Sequence, residues 1–105
     1  MDFLRLEIIT RQERNSAISK IRDAVQGAGG WIISHQLYSN TIASINFELG
    51  YQDIDKFISL LLLSGLEPNV IHDCPRDKYG EVGAGIAITF IHNEPDLKRD
   101  VPPFG

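Results

Sequence analysis

Within residues 29–49 apolar and polar positions alternate with a period of two, twice over, which predicts two strands folded back on one another. Trp31, Ile33, His35 and Leu37 share one face of the first strand. Ala43, Ile45, Phe47 and Leu49 share one face of the second, with Ser44, Asn46 and Glu48 opposite. Directly opposed residues of an antiparallel pair lie on the same side of the sheet, so the apolar sets coincide only if odd positions meet odd positions. A two-residue Ser39-Asn40 turn fails this test, because it sets Ile33 against Asn46. A three-residue loop at 38–40 satisfies it. This loop predicts Leu37 opposite Thr41, His35 opposite Ala43, Ile33 opposite Ile45 and Trp31 opposite Phe47, with Asn40 in the left-handed conformation.

The same rules parse the rest of the chain. Leu4, Leu6 and Ile8 alternate with Arg5, Glu7 and Ile9, so residues 3–10 predict a half-buried strand. Ala17, Ile18, Ile21, Ala24, Val25 and Ala28 then recur at helical spacing, opposite Ser19, Lys20, Arg22, Asp23 and Gln26. Asn15 or Ser16 is the expected cap, and Gly27, Gly29 and Gly30 end this helix. After Gly50, Ile54, Phe57, Ile58, Leu61 and Leu62 predict a second helix, stopped by Ser64 and Gly65. Residues 68–73 suit a short edge strand, since Pro68 has no amide hydrogen to contribute to a ladder. Residues 74–85 hold four charges and three glycines and read as a mobile loop. Ile86, Ile88 and Phe90, alternating with Ala87, Thr89 and Ile91, predict a final strand fit for a central place.

The order is β-α-β-β-α-β with an extra edge strand before the last, the split β-α-β plan of ferredoxin-like domains. An α+β sandwich follows, an antiparallel sheet carrying two helices on one face. Its expected core is Leu4, Leu6, Ile8, Ile18, Ile21, Val25, Ile33, Ile45, Phe47, Phe57, Leu61, Ile86, Ile88 and Phe90. The other face should present Arg5, Glu7, Ile9, Ile32, Ser34, Gln36, Ile42, Ser44, Asn46, Glu48, Thr89 and Ile91. One domain over 1–92 and a tail over 93–105 account for all 105 residues. In the tail, Pro95 opens a helical turn and Pro102-Pro103 bars regular structure at the end.

Composition narrows the partners. The net charge of -4, from 10 basic against 14 acidic residues, argues against nucleic acid, which calls for a concentrated basic surface. The longest apolar run, 60–63, is too short for a bilayer, and a cytoplasmic protein is expected. A single cysteine, Cys74, permits neither an internal disulfide nor a four-cysteine zinc site. His72-Asp73-Cys74 lacks a second motif to complete a metal site, so neither metal nor cofactor is expected. His35 lies on the apolar face and His92 ends the last strand on the same parity; together they define the one enzyme alternative. Ile9, Ile32, Ser34, Gln36, Ile42 and Ile91 are the expected homodimer contacts on the open face.

The strand at 4–10, the polar loop Arg11-Gln12-Glu13-Arg14-Asn15, the amphipathic helix ending in Gly29-Gly30 and the Trp31-Ile32-Ile33 hairpin together resemble an ACT domain. That resemblance covers residues 3–64 and implies a regulatory module that binds amino acids or similar metabolites between paired copies. It implies ligand contacts from Arg11, Arg14 and Asn15, facing Gly30 and Ile32 across an interface. Acylphosphatases of related topology use an arginine near the first helix and an asparagine on a strand, for which Arg14 and Asn40 are superficial candidates, though the glycine-rich phosphate cradle is missing. The leading expectation is a non-catalytic, homodimeric binding or regulatory module. A protein-interaction or assembly domain is the alternative, and a small enzyme using His35 and His92 ranks third.

Overall fold

A computed structural model describes residues 1–91. His92 and the expected tail at 93–105 lie outside the described residues. Five strands and two α-helices follow in the order β1 (Leu4–Thr10), α1 (Arg14–Gly27), β2 (Trp31–Leu37), β3 (Ile42–Gly50), α2 (Ile54–Leu63), β4 (Asn69–His72) and β5 (Glu81–Phe90). A 3-10 turn at Tyr51–Asp53 leads into α2. The architecture is α+β, a single five-stranded sheet with both helices closing one hydrophobic core against it.

The strand order, β2-β3-β5-β1-β4, corrects the expected four-stranded antiparallel sheet. β4 takes the edge beside β1, antiparallel to it, and β5 inserts between β3 and β1 and runs parallel to β1. The extra strand at the edge and a final strand at the centre were both legible. The parallel β1–β5 pair was not.

β5 is also longer than expected, because residues 81–85 join the sheet instead of the loop. Glycine is a poor strand residue unless something covers it. Here Phe3 does so: a Cβ at Gly83 would stand 3.4 Å from the Phe3 ring, and one at Gly85 would stand 3.4 Å from it. The rest of the supposed mobile loop is pinned. Arg76 donates to Asp73 at 2.6 Å, to the Cys74 carbonyl at 2.6 Å and to Asp55 at 3.0 Å, while Lys78 reaches Asp2 at 2.7 Å.

α1 starts one turn before the expected cap. Glu13, not Asn15 or Ser16, closes its start by accepting from the Asn15 N–H at 2.9 Å and the Ser16 N–H at 3.0 Å. Both helices end in the same device. Gly29 and Gly65 take φ of 82° and 80°, and the amides of Gly30 and Leu66 reach back to the Val25 and Leu61 carbonyls. Left-handed glycine after the last turn satisfies carbonyls that would otherwise lack partners. Leu66 is then buried beneath α2.

Every expected core residue but Ile33 is buried, and others, among them Leu49, Ile54, Leu66 and Val82, join them. Phe47 from β3 and Phe57 from α2 meet at the centre of the core with ring centroids 5.0 Å apart. Ile33, assigned to the core from parity, is 56% exposed. The cause is a break in the β2–β3 register between Ile32 and Ser34. Beyond it His35 faces Ile45 and Leu37 faces Ala43, so odd still meets odd, but two residues away from the expected pairing. Before it Ile32 faces Phe47 and packs on the core, whereas Trp31 faces Glu48 and is 44% exposed. An extra residue in one strand exchanges the faces of everything on its far side. The two-residue shift comes from the turn. Tyr38 bonds back to Ile42, the loop becomes Ser39-Asn40-Thr41, and the Ser39 hydroxyl accepts from the Thr41 N–H at 3.1 Å. Asn40 is therefore not left-handed; among the described residues only glycines have positive φ.

Candidate functional site

Three surfaces remain once the core is assigned: the sheet face without helices, the free edge of β2 and the shorter free edge of β4. On the open face, pairing aligns residues in rows across the strands. Ser34, Asn46, Gly85, Arg5 and His72 form one row, and Gln36, Ser44, Ala87, Glu7 and Asn69 form the next. Both are polar or small. Asn46 donates to Ser34 across the first at 3.0 Å. The row nearest the hairpin tip is apolar, with Ile42, Thr89 and Ile9 side by side. Ile9 is 60% exposed, Ile42 46% and Ile91, just past β5, 40%. Five of the six expected interface residues thus lie together on or beside this face. Ile32 does not, because the bulge turns it toward the helices.

β2 is the longer of the two outer strands, and every residue in it except Ile32 is exposed. Its segment Trp-Ile-Ile-Ser-His-Gln-Leu carries no charged side chain. Between β2 and α1 runs an open groove of about 380 Å³, lined by Asn15, Ile18, Ser19, Arg22, Asp23, Gln26 and His35. It exists because the sheet extends past the helix layer, leaving the polar stripe of α1 overlooking His35. Sequence reasoning placed Ser19, Arg22, Asp23 and Gln26 on a solvated helix face. Parity already puts His35 on the helix side of the sheet; its place beside the polar stripe of α1 follows from β2 lying outside the helix layer.

The residues proposed for ligand contact divide between the two ends of α1. Arg14 donates to Asn40 at 3.1 Å, which ties the start of α1 to the hairpin tip, and Asn15 lines the groove nearby. Arg11 is exposed in the connecting loop. Gly30 and Ile32 follow the other end of the helix, roughly 20 Å away at 1.5 Å per residue. Gly30 has a structural reason of its own, since a Cβ there would lie 2.5 Å from the Glu48 carbonyl oxygen.

Arg14 and Asn40 do meet, but the backbone donors around them are committed. The Asn15 and Ser16 amides serve Glu13, and the Gln12 amide serves the Thr10 hydroxyl at 3.1 Å. Those hydrogen bonds hold the Glu13 carboxyl below the usual carboxylate range, so it stays ionised where an anionic ligand would otherwise sit.

The remaining candidate chemistry is structural. His72 Nδ1 lies 2.8 Å from the Phe3 carbonyl oxygen. Asp73, held below the usual carboxylate range chiefly by the Arg76 hydrogen bond, also accepts from the Cys74 amide at 2.8 Å. Burial pushes the Cys74 thiol upward, away from the reactive thiolate. No group of three His, Cys, Asp or Glu side chains capable of holding a metal occurs among the described residues. No helix among them is long and apolar enough to cross a membrane.

A scan against protein-family models finds no match, and neither the curated proteins nor the solved structures match the chain.

Proposed function

We propose that this chain is a non-catalytic small-molecule-binding or regulatory module that works as a homodimer. Its character is ACT-like, on a ferredoxin-like βαββαβ plan to which a strand has been added between the first and third. One observation carries this reading: β2 is an outer strand with no charge in its seven residues and with Trp31, Ile33 and Leu37 exposed. Edge strands are ordinarily protected by charge, proline or a covering element. An edge left this open suits a partner.

The ligand is a small metabolite such as an amino acid. Arg11, Arg14 and Asn15 of one copy contact it together with Gly30 and Ile32 of the other, since one chain holds these groups at opposite ends of α1. With Glu13 occupying the first-turn amides, recognition of a carboxylate falls to the arginine side chains, which suit planar anions. Ile9, Ile42 and Ile91 with Ser34 and Gln36 supply a second contact surface.

Light scattering coupled to gel filtration, followed by thermal shifts with amino acids and nucleotides, tests this. The expected result is a mass of two chains and at least one compound that raises Tm by binding the folded state. A monomer at all concentrations overturns the homodimer. A dimer that no compound stabilises leaves a protein-interaction or assembly domain.

A further inference from the structure

We infer that two copies join edge to edge through β2, antiparallel, with His35 on the two-fold axis opposite the partner's His35; this rests on the homodimeric reading above. The backbone defines which groups are free. Tyr38 donates to the Ile42 carbonyl at 2.9 Å, and Gln36 and Ser34 continue that register against Ser44 and Asn46. Peptide groups alternate sides along a strand, so the even residues of this stretch turn theirs to β3. His35 and Leu37 turn theirs to the open edge, where a second strand must pair odd residues with odd.

Three registers satisfy that rule over the stretch. Centring on Ser34 sets Leu37 against the partner's Trp31, which the bulge has moved to the other face of the sheet. Centring on Gln36 pairs only three strand residues. Centring on His35 pairs five, with Leu37 against the partner's Ile33 and Ser34 against the partner's Gln36, apolar with apolar and polar with polar.

Charge agrees with this choice. β2 brings no charge to oppose its copy. Beside His35 the groove presents Arg22 and Asp23, neither of which has a charged partner among the described residues. The two side chains cancel in charge, so each copy brings no net charge from this part of the groove to the junction. The paired stretch measures roughly 17 Å along five strand residues. A single strand edge with one helix face is at the small end of specific interfaces, so association is concentration-dependent.

Cysteine scanning tests the register. Opposed residues with outward peptide groups have Cα atoms about 5.5 Å apart, within the range a disulfide spans. Mild oxidation of His35→Cys should give a covalent dimer, while Gln36→Cys and the wild type, whose Cys74 is buried, should stay uncrosslinked. Amide exchange on the wild type supplies a measurement free of substitution: the His35 and Leu37 amides should exchange at least tenfold more slowly at high than at low protein concentration. A solution dimer that crosslinks through Gln36→Cys, or whose His35 and Leu37 amides gain no protection, overturns the register and leaves the homodimer standing. A monomer at every concentration overturns both.

Discussion

Glu13 shows how one side chain decides what the start of α1 is able to do. Its carboxylate accepts two first-turn amides, a role usually given to Ser, Thr, Asp or Asn. Because those bonds depress its pKa in the folded state, the stabilisation is full above the unfolded value and is lost as pH falls through the folded one. Asp73, stabilised by Arg76, and Asp2, stabilised by Lys78, share that sign and add to acid sensitivity. Glu13→Gln keeps one carbonyl acceptor and loses the charge, so the variant should melt below wild type at pH 7. The difference should narrow toward pH 3, where the wild-type carboxyl is itself protonated. Thermal melts across that range would read it, and a gap unchanged at pH 3 would show that the carboxylate is not the cap. The sequence names Asn15 and Ser16 for this post because their short side chains are the commoner caps. Only the backbone path through 11–13 shows that a longer side chain, two positions before Asn15, caps the helix by accepting from the Asn15 and Ser16 amides themselves.

At the scale of elements, the β2–β3 hairpin divides what the sequence makes legible from what it does not. Parity requires odd to meet odd, and His35 opposite Ile45 obeys that rule. A bulge leaves no mark on hydrophobic alternation, however, because Trp31, Ile32 and Ile33 are all apolar and either face accepts them. The helices, β1 and the core half of β5 were readable because polar residues interrupt their apolar stripes and name the buried side, and β4 because Pro68 marks an edge. Residues 81–85 were unreadable for the opposite reason: their glycines become strand residues only beneath Phe3, a contact about 80 positions distant in sequence. The two neighbouring isoleucines of β2 provide a direct check. Ile32 packs on the core, and its truncation to Ala should cost about 1–2 kcal/mol, part of the range for a fully buried isoleucine. Ile33→Ala, at an exposed position, should cost no more than about 0.5 kcal/mol. Urea denaturation at dilute protein would rank them, and equal costs would return Ile33 to the core.

For the whole molecule, the consequence of strand order is that the last strand in sequence lies at the centre of the sheet. β5 pairs along β1 from Leu4–Ala84 to Thr10–Phe90 and along β3 from Ile42–Thr89 to Gly50–Glu81. It joins the β2–β3 hairpin to the β1–β4 pair; without it neither half has a neighbour in the sheet. It also supplies Val82, Ala84, Ile86, Ile88 and Phe90 to the core, all buried. Such non-local pairing is slow to form, since the loop-closure entropy comes due before most native contacts exist. A strict βαββαβ domain would already have β1 against β3 when its fourth strand arrived. Here that contact is replaced, not supplemented. A chain ending at Gly80 retains both helices and four strands, yet should lack cooperative unfolding and dispersed amide resonances. The same chain extended through Ile91, with the Ile91 amide bonded to the Thr10 carbonyl at 2.9 Å, should recover both. Proton–nitrogen spectra and thermal melts of the two lengths would decide. A folded, cooperatively melting fragment ending at Gly80 would mean that β1 and β3 can close the sheet alone, with β5 an addition to a domain already complete.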